Sequence, residues 1–163
     1  MCPTTCEVSL LLLEQHFFWL LSDFGFAVLR AENGNMDSCS LLLQGGTCRL
    51  FIGVDKGRIG LTQIAVVPAS KRDTWNVHDL QWYALLDIIS YLQGRFLDLQ
   101  ESLQQVADAQ GRTLKEDFAD LSMKCRPLWS DVMMIFREDR FAAEKADIDA
   151  AIQGARAKLR KHH

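Results

Sequence analysis

Apolar residues recur at helical spacing near the beginning of the chain and throughout its second half, and strand-like apolar runs lie between. In residues 7–21 they fall at positions 10, 13, 17 and 20 or 21, which predicts a helix that ends at the stretch 22–25. Four segments rich in Val, Ile, Leu and Phe follow and predict β-strands. Their ranges are 24–31, 38–44, 47–54 and 58–67.

Glycines mark the connections between these strands. Gly45 and Gly46 suit a two-residue hairpin of type I′ or II′, because glycine adopts positive φ without a Cβ clash. The stretch 55–57 predicts a three-residue hairpin loop with Gly57 in the left-handed conformation. Two successive hairpins make strands two to four an antiparallel meander, to which the loop 31–37 joins strand one.

From residue 76 onward the pattern is helical. Thr113, followed by Glu116 three residues later, is a capping-box signature for the start of a helix. Pro127 in the same run predicts a break, because proline lacks the backbone donor that a helix interior requires. The predicted helices cover 79–93, which Gly94 ends, then the run from Phe96 through Val106, which Gly111 ends, the run from Thr113, and 141–159.

The order of these elements defines the fold class. A first helix, a four-stranded antiparallel meander and four to five C-terminal helices packed on the sheet form an α+β fold, because strands and helices are segregated rather than alternating. We expect one domain over residues 1–163, with the sheet in 24–67 and the helical part in 76–160.

Both faces of the predicted sheet are apolar. In strand three, Leu50, Ile52 and Val54 point to one side and Phe51 to the other, because successive side chains alternate along a strand. One layer of helices covers only one face. Either the C-terminal helices wrap around to the second face or a partner covers it.

Charge is distributed unevenly along the chain. Residues 1–155 carry 14 Lys and Arg against 21 Asp and Glu, and the net charge is −3 because the tail is basic. An acidic body repels phosphate backbones, so we expect no nucleic-acid partner. The basic tail is interpreted as charge that complements the end of a helix. Its basic residues are Arg156, Lys158, Arg160 and Lys161.

Cysteine number and hydropathy bear on the compartment. Five scattered cysteines are an odd number, which favours free thiols in a reducing compartment. With a Gly-Gly turn, Cys39 is expected opposite Ile52 and Cys48 opposite Leu43, so these two cysteines should not form a disulfide. The apolar stretch 8–13 ends directly at polar residues, which predicts neither a signal peptide nor a membrane span. We therefore expect a cytoplasmic protein with no membrane partner.

Motifs for catalysis, metals and cofactors are not found. Cys2 and Cys6 have no second ligand pair, and no two histidines lie four residues apart with a carboxylate between them. The sequence has no nucleophile elbow, and its strand-region glycines do not lie between a strand and a helix N-terminus, where phosphate is bound. No catalytic residue, metal or cofactor is therefore predicted.

The stretch 70–83 has the most unusual composition of the chain. It joins the last predicted strand to the next helix, and aromatic, basic and histidine side chains on such a loop are typical of a recognition surface. Alternatively, its tryptophans plug the end of the sheet. Adjacent residues such as His78 and Asp79 point about 100° apart on a helix, so they do not predict a catalytic dyad. The candidate binding residues are Arg72, Asp73, Trp75, His78, Trp82 and Tyr83.

Two stretches carry a resemblance to known proteins. The first helix ends in Phe-Phe-Trp-Leu-Leu-Ser-Asp-Phe-Gly-Phe at 17–26, and Leu-Leu-Asp-Ile-Ile-Ser-Tyr-Leu at 85–92 follows the meander. In this order they resemble small bacterial α+β proteins, some of which are grouped with polymorphic-toxin immunity proteins. The resemblance covers about residues 10–95. It implies an acidic intracellular binder that neutralises a partner protein, and it assigns no site residues.

Three classes of function follow from these observations. A non-catalytic protein-binding module, including the immunity-type inhibitor, is the preferred hypothesis and predicts a flat or dimeric apolar and aromatic surface. Its partner is another protein or a second copy of the chain. A small-ligand-binding α+β domain is the alternative and predicts an enclosed cavity between sheet and helices, lined by Phe and Trp. An enzyme is the third hypothesis and requires at least two titratable side chains that converge in a cleft.

Overall fold

The computed structural model describes residues 2–68, 82–94 and 111–161. They confirm an α+β fold, in which an N-terminal helical segment precedes an antiparallel sheet and further helices pack against the sheet. In chain order the elements are α1 (Thr5–His16), α2 (Phe18–Ser22), β1 (Ala27–Asn33), β2 (Cys39–Gln44), β3 (Cys48–Asp55), β4 (Arg58–Pro68), β5 (Tyr83–Ala84), α3 (Leu85–Gln93), α4 (Leu114–Cys125), a 3₁₀ turn (Arg126–Leu128), α5 (Trp129–Ile135) and α6 (Glu138–Lys161).

The predicted first helix is present but is divided in two. α1 begins with a capping box, in which the Thr4 hydroxyl accepts a hydrogen bond from the Glu7 backbone and the Glu7 carboxylate accepts one from the Thr4 backbone. At Phe17 the backbone leaves helical geometry, with φ −113° and ψ 26°, and α2 begins at the next residue. Phe17 and Trp19 are both buried at this break.

Within the described residues the sheet has five strands in sequence order, each antiparallel to its neighbour. The four predicted strands are present, and β5 is an additional strand. Tyr83 and Ala84 pair with Val66 and Ala65 of β4, although the sequence pattern placed them inside a helix over 79–93. Apolar spacing alone does not distinguish two strand residues from the first turn of the helix that follows.

The hairpin between β3 and β4 is tighter than predicted. Asp55 pairs with Arg58, so the loop consists of Lys56 and Gly57, with φ 52° and 73°. The left-handed conformation predicted for Gly57 is confirmed. The loop has two residues rather than three, and positive φ at both central residues is the pattern of a type I′ turn.

The hairpin between β2 and β3 is wider than predicted. Gln44 ends β2 and pairs with Arg49, and β3 begins at Cys48, so residues 45–47 form the loop. The Gly45 N–H donates a hydrogen bond to the Cys48 carbonyl at 2.9 Å, and neither glycine has a positive φ. Gly45 is needed for space instead, because a Cβ there would lie 2.3 Å from the ring of Phe26. A Cβ on Gly46 would have no neighbour within 4 Å. The type I′ or II′ turn predicted here is therefore wrong.

The wider loop shifts the register of β2 against β3 by two residues. A hairpin loop sets the pairing of the strands on either side of it, so a wrong loop length moves every predicted pair. The observed partners are Val54 for Cys39 and Leu50 for Leu43, in place of the predicted Ile52 and Cys48.

The N-terminus of α1 is bound to the sheet. Cys6 and Cys39 form a disulfide, with their Cα atoms 5.1 Å apart, and the Cys6 backbone N–H donates a hydrogen bond to Asn33 Oδ1 at 2.9 Å. The prediction that all five thiols are free is therefore wrong, because pairing depends on a tertiary contact that residue spacing does not show. Free thiols remain at Cys2, Cys48 and Cys125. The argument for a reducing compartment loses its support.

Three predicted helix signals are confirmed in the second half. Gly94 ends α3 in the left-handed conformation, with φ 69°. Thr113 and Glu116 form the predicted capping box at the start of α4. Pro127 lies in the 3₁₀ turn that separates α4 from α5, so the helix breaks there as expected. The predicted helix over 96–106 lies outside the described residues.

The core lies between one face of the sheet and the helices. Leu50, Ile52 and Val54 of β3 are buried in it, as predicted. On the helical side its largest fully buried side chains are Leu13, Phe17, Leu20, Leu85, Phe118, Trp129 and Phe136.

The second face of the sheet is also buried in places. Leu42, Arg49 and Val67 alternate with core residues along their strands and are all less than 9% exposed, and Phe51 is half-buried. These positions are buried within a single chain, so no partner is required to cover them. Among the helices of the described residues, none combines the length and the apolar character that a membrane span requires.

Candidate functional site

Two of the six candidate binding residues, Trp82 and Tyr83, lie in the described part of the chain. Trp82 immediately precedes β5, at the edge of the sheet, and Tyr83 is its first residue, so only Ala84 separates them from α3. The other four lie outside the described residues, and their predicted role is not tested. They are Arg72, Asp73, Trp75 and His78.

The strand conformation sends neighbouring side chains to opposite faces of the sheet. Tyr83 is buried against the core, with its ring 6.0 Å from that of Phe141. Trp82 packs instead on Phe51, which belongs to the second face, at a centroid distance of 6.2 Å and an angle of 66°. Trp82 is half-buried rather than enclosed, so part of its surface is accessible.

A cleft of about 170 Å³ opens beside these two residues, between β5 and α3 on one side and α6 on the other. It opens to solvent and is not enclosed. Its walls combine aromatic, aliphatic, amide and charged side chains. They are Trp82, Tyr83, Ala84, Asp87, Asp149, Ile152, Gln153 and Arg156. We refer to it as the Trp82 cleft.

The charged groups of the Trp82 cleft are paired across it. Arg156 of α6 donates a hydrogen bond to Asp87 of α3 at 3.0 Å, and the Asp87 side chain is only 8% exposed. Tyr83 donates its hydroxyl proton to Asp149 at 2.7 Å, and Lys145 forms an ion pair with the other oxygen of Asp149 at 2.8 Å. These bonds join β5 and α3 to α6 at the cleft.

The Tyr83 hydroxyl acts as a donor here. Burial raises the pKa of Tyr83 well above its ordinary value, and the hydrogen bond to Asp149 and the negative charge of that carboxylate raise it further. The phenol therefore stays protonated throughout the physiological range. It holds Asp149 in place and does not supply a base.

Among the described residues, the indole N–H of Trp82 has no hydrogen-bond partner, although its nitrogen is buried. A buried donor without an acceptor costs roughly 1–3 kcal/mol. Most buried polar groups are paired. An unpaired donor on a residue that lines the cleft is therefore unusual.

Two acidic residues, Asp87 and Asp149, line the same cleft, so the geometric condition stated for an enzyme is met. Both carboxylates are engaged by basic side chains and by Tyr83. In the part of the chain that the structure describes, no group of three or more His, Cys, Asp or Glu is arranged to hold a metal ion.

Sequence reasoning missed the walls that α3 and α6 contribute. Asp87 carried a usable signal, because a carboxylate within the apolar run 85–92 requires a partner when the helix is buried. Arg156 was interpreted only as tail charge at a helix end. It lies 69 residues from Asp87 in sequence, and no local pattern joins the two.

Comparison with protein-family models, with curated proteins and with solved structures found no match. The resemblance to immunity-type proteins therefore stays an expectation, and the site has to be interpreted from its own geometry.

Proposed function

We propose that this chain is a non-catalytic protein-binding module and that the Trp82 cleft receives an anchoring side chain of its partner. The observation that carries the proposal is a small cleft, open to solvent, with an aromatic wall and an unpaired donor. In the form that the resemblance implies, the module is a bacterial inhibitor that neutralises a partner protein.

The size of the cleft supports a side chain over a whole ligand. Typical small-molecule sites measure roughly 300–1,000 Å³ and bury most of their ligand. The Trp82 cleft has about 170 Å³ and opens to solvent. Interface hot spots, in contrast, are single side chains seated in small pockets near the centre of a contact.

The chemistry of the walls supports the same assignment. Trp, Tyr and Arg are the residues most enriched in interface hot spots, and Trp82, Tyr83 and Arg156 all line the cleft. The indole nitrogen is buried, so it would pair with an acceptor on the partner only if Trp82 shifts when the cleft is filled. That bond would remove the cost of a buried, unpaired donor. That gain is specific to the complex, so the cleft favours a partner with a carbonyl or carboxylate at the anchor.

Binding measurements with purified protein test the proposal. The first partner to try is the product of the neighbouring gene, titrated calorimetrically. Trp82→Ala and Arg156→Ala should each weaken binding by about 2 kcal/mol, roughly thirtyfold. Phe18→Ala is the matched control, because Phe18 is an aromatic residue 66% exposed on α2 that does not line the cleft. Loss of binding in the control alone would place the contact elsewhere.

A small-molecule function, binding or catalytic, is the second candidate, because Asp87 and Asp149 converge at the cleft. On this hypothesis the ligand would occupy the Trp82 cleft, which opens to solvent. Thermal melts with small carboxylates and amides test it, since a ligand that binds the folded state raises the melting temperature. A turnover that Asp149→Asn abolishes in a folded variant would overturn the non-catalytic proposal.

The compartment is left to measurement. A disulfide is typical of oxidising compartments, so the bond between Cys6 and Cys39 speaks against the cytoplasmic location that the sequence predicted. Alkylation of thiols in intact cells, followed by mass spectrometry, shows which state is present. Alkylated Cys6 and Cys39 would support the cytoplasm, and a protected pair would support an oxidising compartment.

A further inference from the structure

β1 is the outermost strand of the sheet and is exposed along its whole length. All seven residues, Ala27–Asn33, are exposed, including the apolar side chains of Val28 and Leu29. β2 pairs with one side of β1, and among the described residues no strand pairs with the other side. The unpaired backbone groups of such an edge are a template for a further strand.

One half of β1 is regular enough to accept a strand. The register with β2 shifts between Val28 and Arg30, so a bulge at Leu29 interrupts the first half. From Arg30 to Asn33 the pairing with β2 is continuous. A bulge at a strand edge hinders pairing with a further strand. Here the bulge lies before the regular half of β1 and does not extend into it.

We propose that β1 pairs with β1 of a second copy of this chain, antiparallel, about a two-fold axis that passes through Ala31. This proposal rests on β1 alone and not on the Trp82 cleft. In such a dimer the two five-stranded sheets form one continuous sheet. A two-fold contact uses the same patch on both subunits, so the edge must be complementary to itself.

Symmetry limits the registers that the two strands can adopt. In an antiparallel pair, side chains that lie opposite each other are on the same face of the sheet. Under a two-fold axis perpendicular to the sheet, each residue keeps its face in the second copy. The axis must therefore pass through a residue position and not between two positions. When the axis moves by one residue, the partner of each residue changes by two residues.

Charge selects one of these registers. With the axis at Ala31, Arg30 of each chain lies opposite Glu32 of the other, which gives two cross-strand pairs of opposite charge. With the axis at Arg30 or at Glu32, two like charges lie opposite each other, which is destabilising. Arg30 and Glu32 are about half exposed and 3.8 Å apart within the chain, so both are placed to contact a second strand.

Cysteine cross-linking tests the register directly. Residues directly opposite in an antiparallel pair have Cβ atoms about 4.5–5.5 Å apart, close to the geometry of a disulfide. In a Cys2→Ser background, Ala31→Cys should give a disulfide-linked dimer as the main product of mild oxidation. Ala27→Cys is the matched control in the same strand, and it should give no disulfide-linked dimer because residue 27 would lie opposite residue 35. Equal cross-linking of both variants would overturn the register.

Charge exchange tests the pairing itself, by sedimentation equilibrium. Arg30→Glu and Glu32→Arg should each weaken dimerisation about tenfold, and the double exchange should restore it. Arg137→Glu, an equal change of charge at an exposed position on the chain between α5 and α6, should have no effect. A wild-type chain that stays monomeric, a dimer insensitive to the single changes, or a double exchange that fails to restore it would each overturn the proposal. So would a monomer that binds a strand of another protein at β1.

Discussion

Two tryptophans of this molecule each have an unpaired indole N–H, one in the core and one beside a cleft. Trp129 and Trp82 both have a buried indole nitrogen with no hydrogen-bond partner in the described part of the chain. Trp129 is fully buried, with the rings of Trp19 and Phe26 at 5.9 and 5.7 Å. Trp82 is half-buried on Phe51 and borders an open cleft. The side chain of Trp82 therefore borders a space that a ligand can enter, whereas that of Trp129 does not.

The Trp129 region is the aromatic part of the core. Trp129 and Trp19 meet edge to face at 70°, and the Trp19 N–H donates a hydrogen bond to Ser122 at 2.8 Å. Edge-to-face pairs contribute about 0.5–1.5 kcal/mol beyond the burial of their area. Such packing offsets an unpaired N–H, whereas at the cleft the only aromatic neighbour of Trp82 among the described residues is Phe51.

The largest expected effect is the protection of the thiols in the core. Cys48 and Cys125 are buried, and burial raises the pKa of each to about 12, so both remain protonated at pH 8. They should react with a thiol reagent more than about a thousandfold more slowly than exposed Cys2, because reaction requires the core to open. Denatured protein should show three thiols without reductant and five with it, and five in both conditions would contradict the disulfide.

The same thiols make stability depend on pH. Their pKa is raised in the folded state from an ordinary value of about 9, so the unfolded chain loses these protons first as pH rises. The stabilisation is complete below about pH 9 and is lost between pH 9 and about 12. Urea unfolding at pH 8 and 10.5 should show a lower free energy at the higher pH. A Cys48→Ala, Cys125→Ala double variant should show a smaller decline.

Trp129→Ala should cost about 3–5 kcal/mol of folding free energy, because it removes a large buried side chain and leaves a cavity between two aromatic rings. Trp82→Ala should cost clearly less, since Trp82 is only half-buried. Urea unfolding of both variants measures the difference. Equal losses would mean that Trp82 plugs the end of the sheet, as the alternative interpretation of this stretch has it. The two tryptophans would then have the same role in stability.

These two regions also differ in how far the sequence predicted them. Strand and helix periodicity located β1–β4 and α4, and alternation along β3 correctly placed Leu50, Ile52 and Val54 in the core. Local signals at Gly57, Gly94 and Thr113 were confirmed because each acts within a few residues. The disulfide and the pairing of β5 were not predicted, because both depend on contacts between elements that are distant in sequence.

The cleft depended almost entirely on such distant contacts. The composition of residues 70–83 predicted Trp82 and Tyr83 as binding residues, and both line the Trp82 cleft. Its opposite wall comes from α6, and the pairing of Asp87 with Arg156 depends on how α3 and α6 pack. Residue spacing carries no information on that packing. The turn type predicted at Gly45 was wrong for a related reason. Glycine is needed there because the Phe26 ring lies too close for a Cβ, and not because of the conformation of the turn.

Gly45→Ala tests that contact and has a built-in control. A methyl group at residue 45 would lie 2.3 Å from the Phe26 ring, which is buried against Trp129, so the ring would have to move within the aromatic core. We expect a loss of about 1–3 kcal/mol, as for other overpacked cores. Gly46→Ala has free space and no positive φ, and it should change stability by less than about 0.5 kcal/mol. Similar melting temperatures for the two variants would contradict the close approach.

The smallest expected effect on stability is that of Trp82→Phe, and it separates the two roles of this residue. The change keeps an aromatic ring against Phe51 and removes an N–H that bonds to nothing among the described residues. Removal of the buried, unpaired donor stabilises the variant, whereas the smaller ring loses packing area. Because these two effects offset each other, the free energy of unfolding should change by less than about 0.5 kcal/mol. Trp19→Phe is the matched control, because it removes an N–H that is bonded to buried Ser122, and it should cost about 1–3 kcal/mol.

Binding should show the reverse order for these two variants. If the Trp82 N–H donates to an acceptor on the partner, Trp82→Phe should weaken the complex by about 1 kcal/mol, roughly fivefold, since a hydrogen bond is lost but the ring contact is kept. Trp19→Phe should leave the affinity of the folded protein unchanged, because Trp19 is buried in the core away from the cleft. Calorimetric titration beside urea unfolding measures both quantities. If Trp82→Phe instead stabilised the chain and bound as tightly as the wild type, the unpaired N–H would be a packing cost like that of Trp129, and the cleft would lose its clearest sign of a ligand.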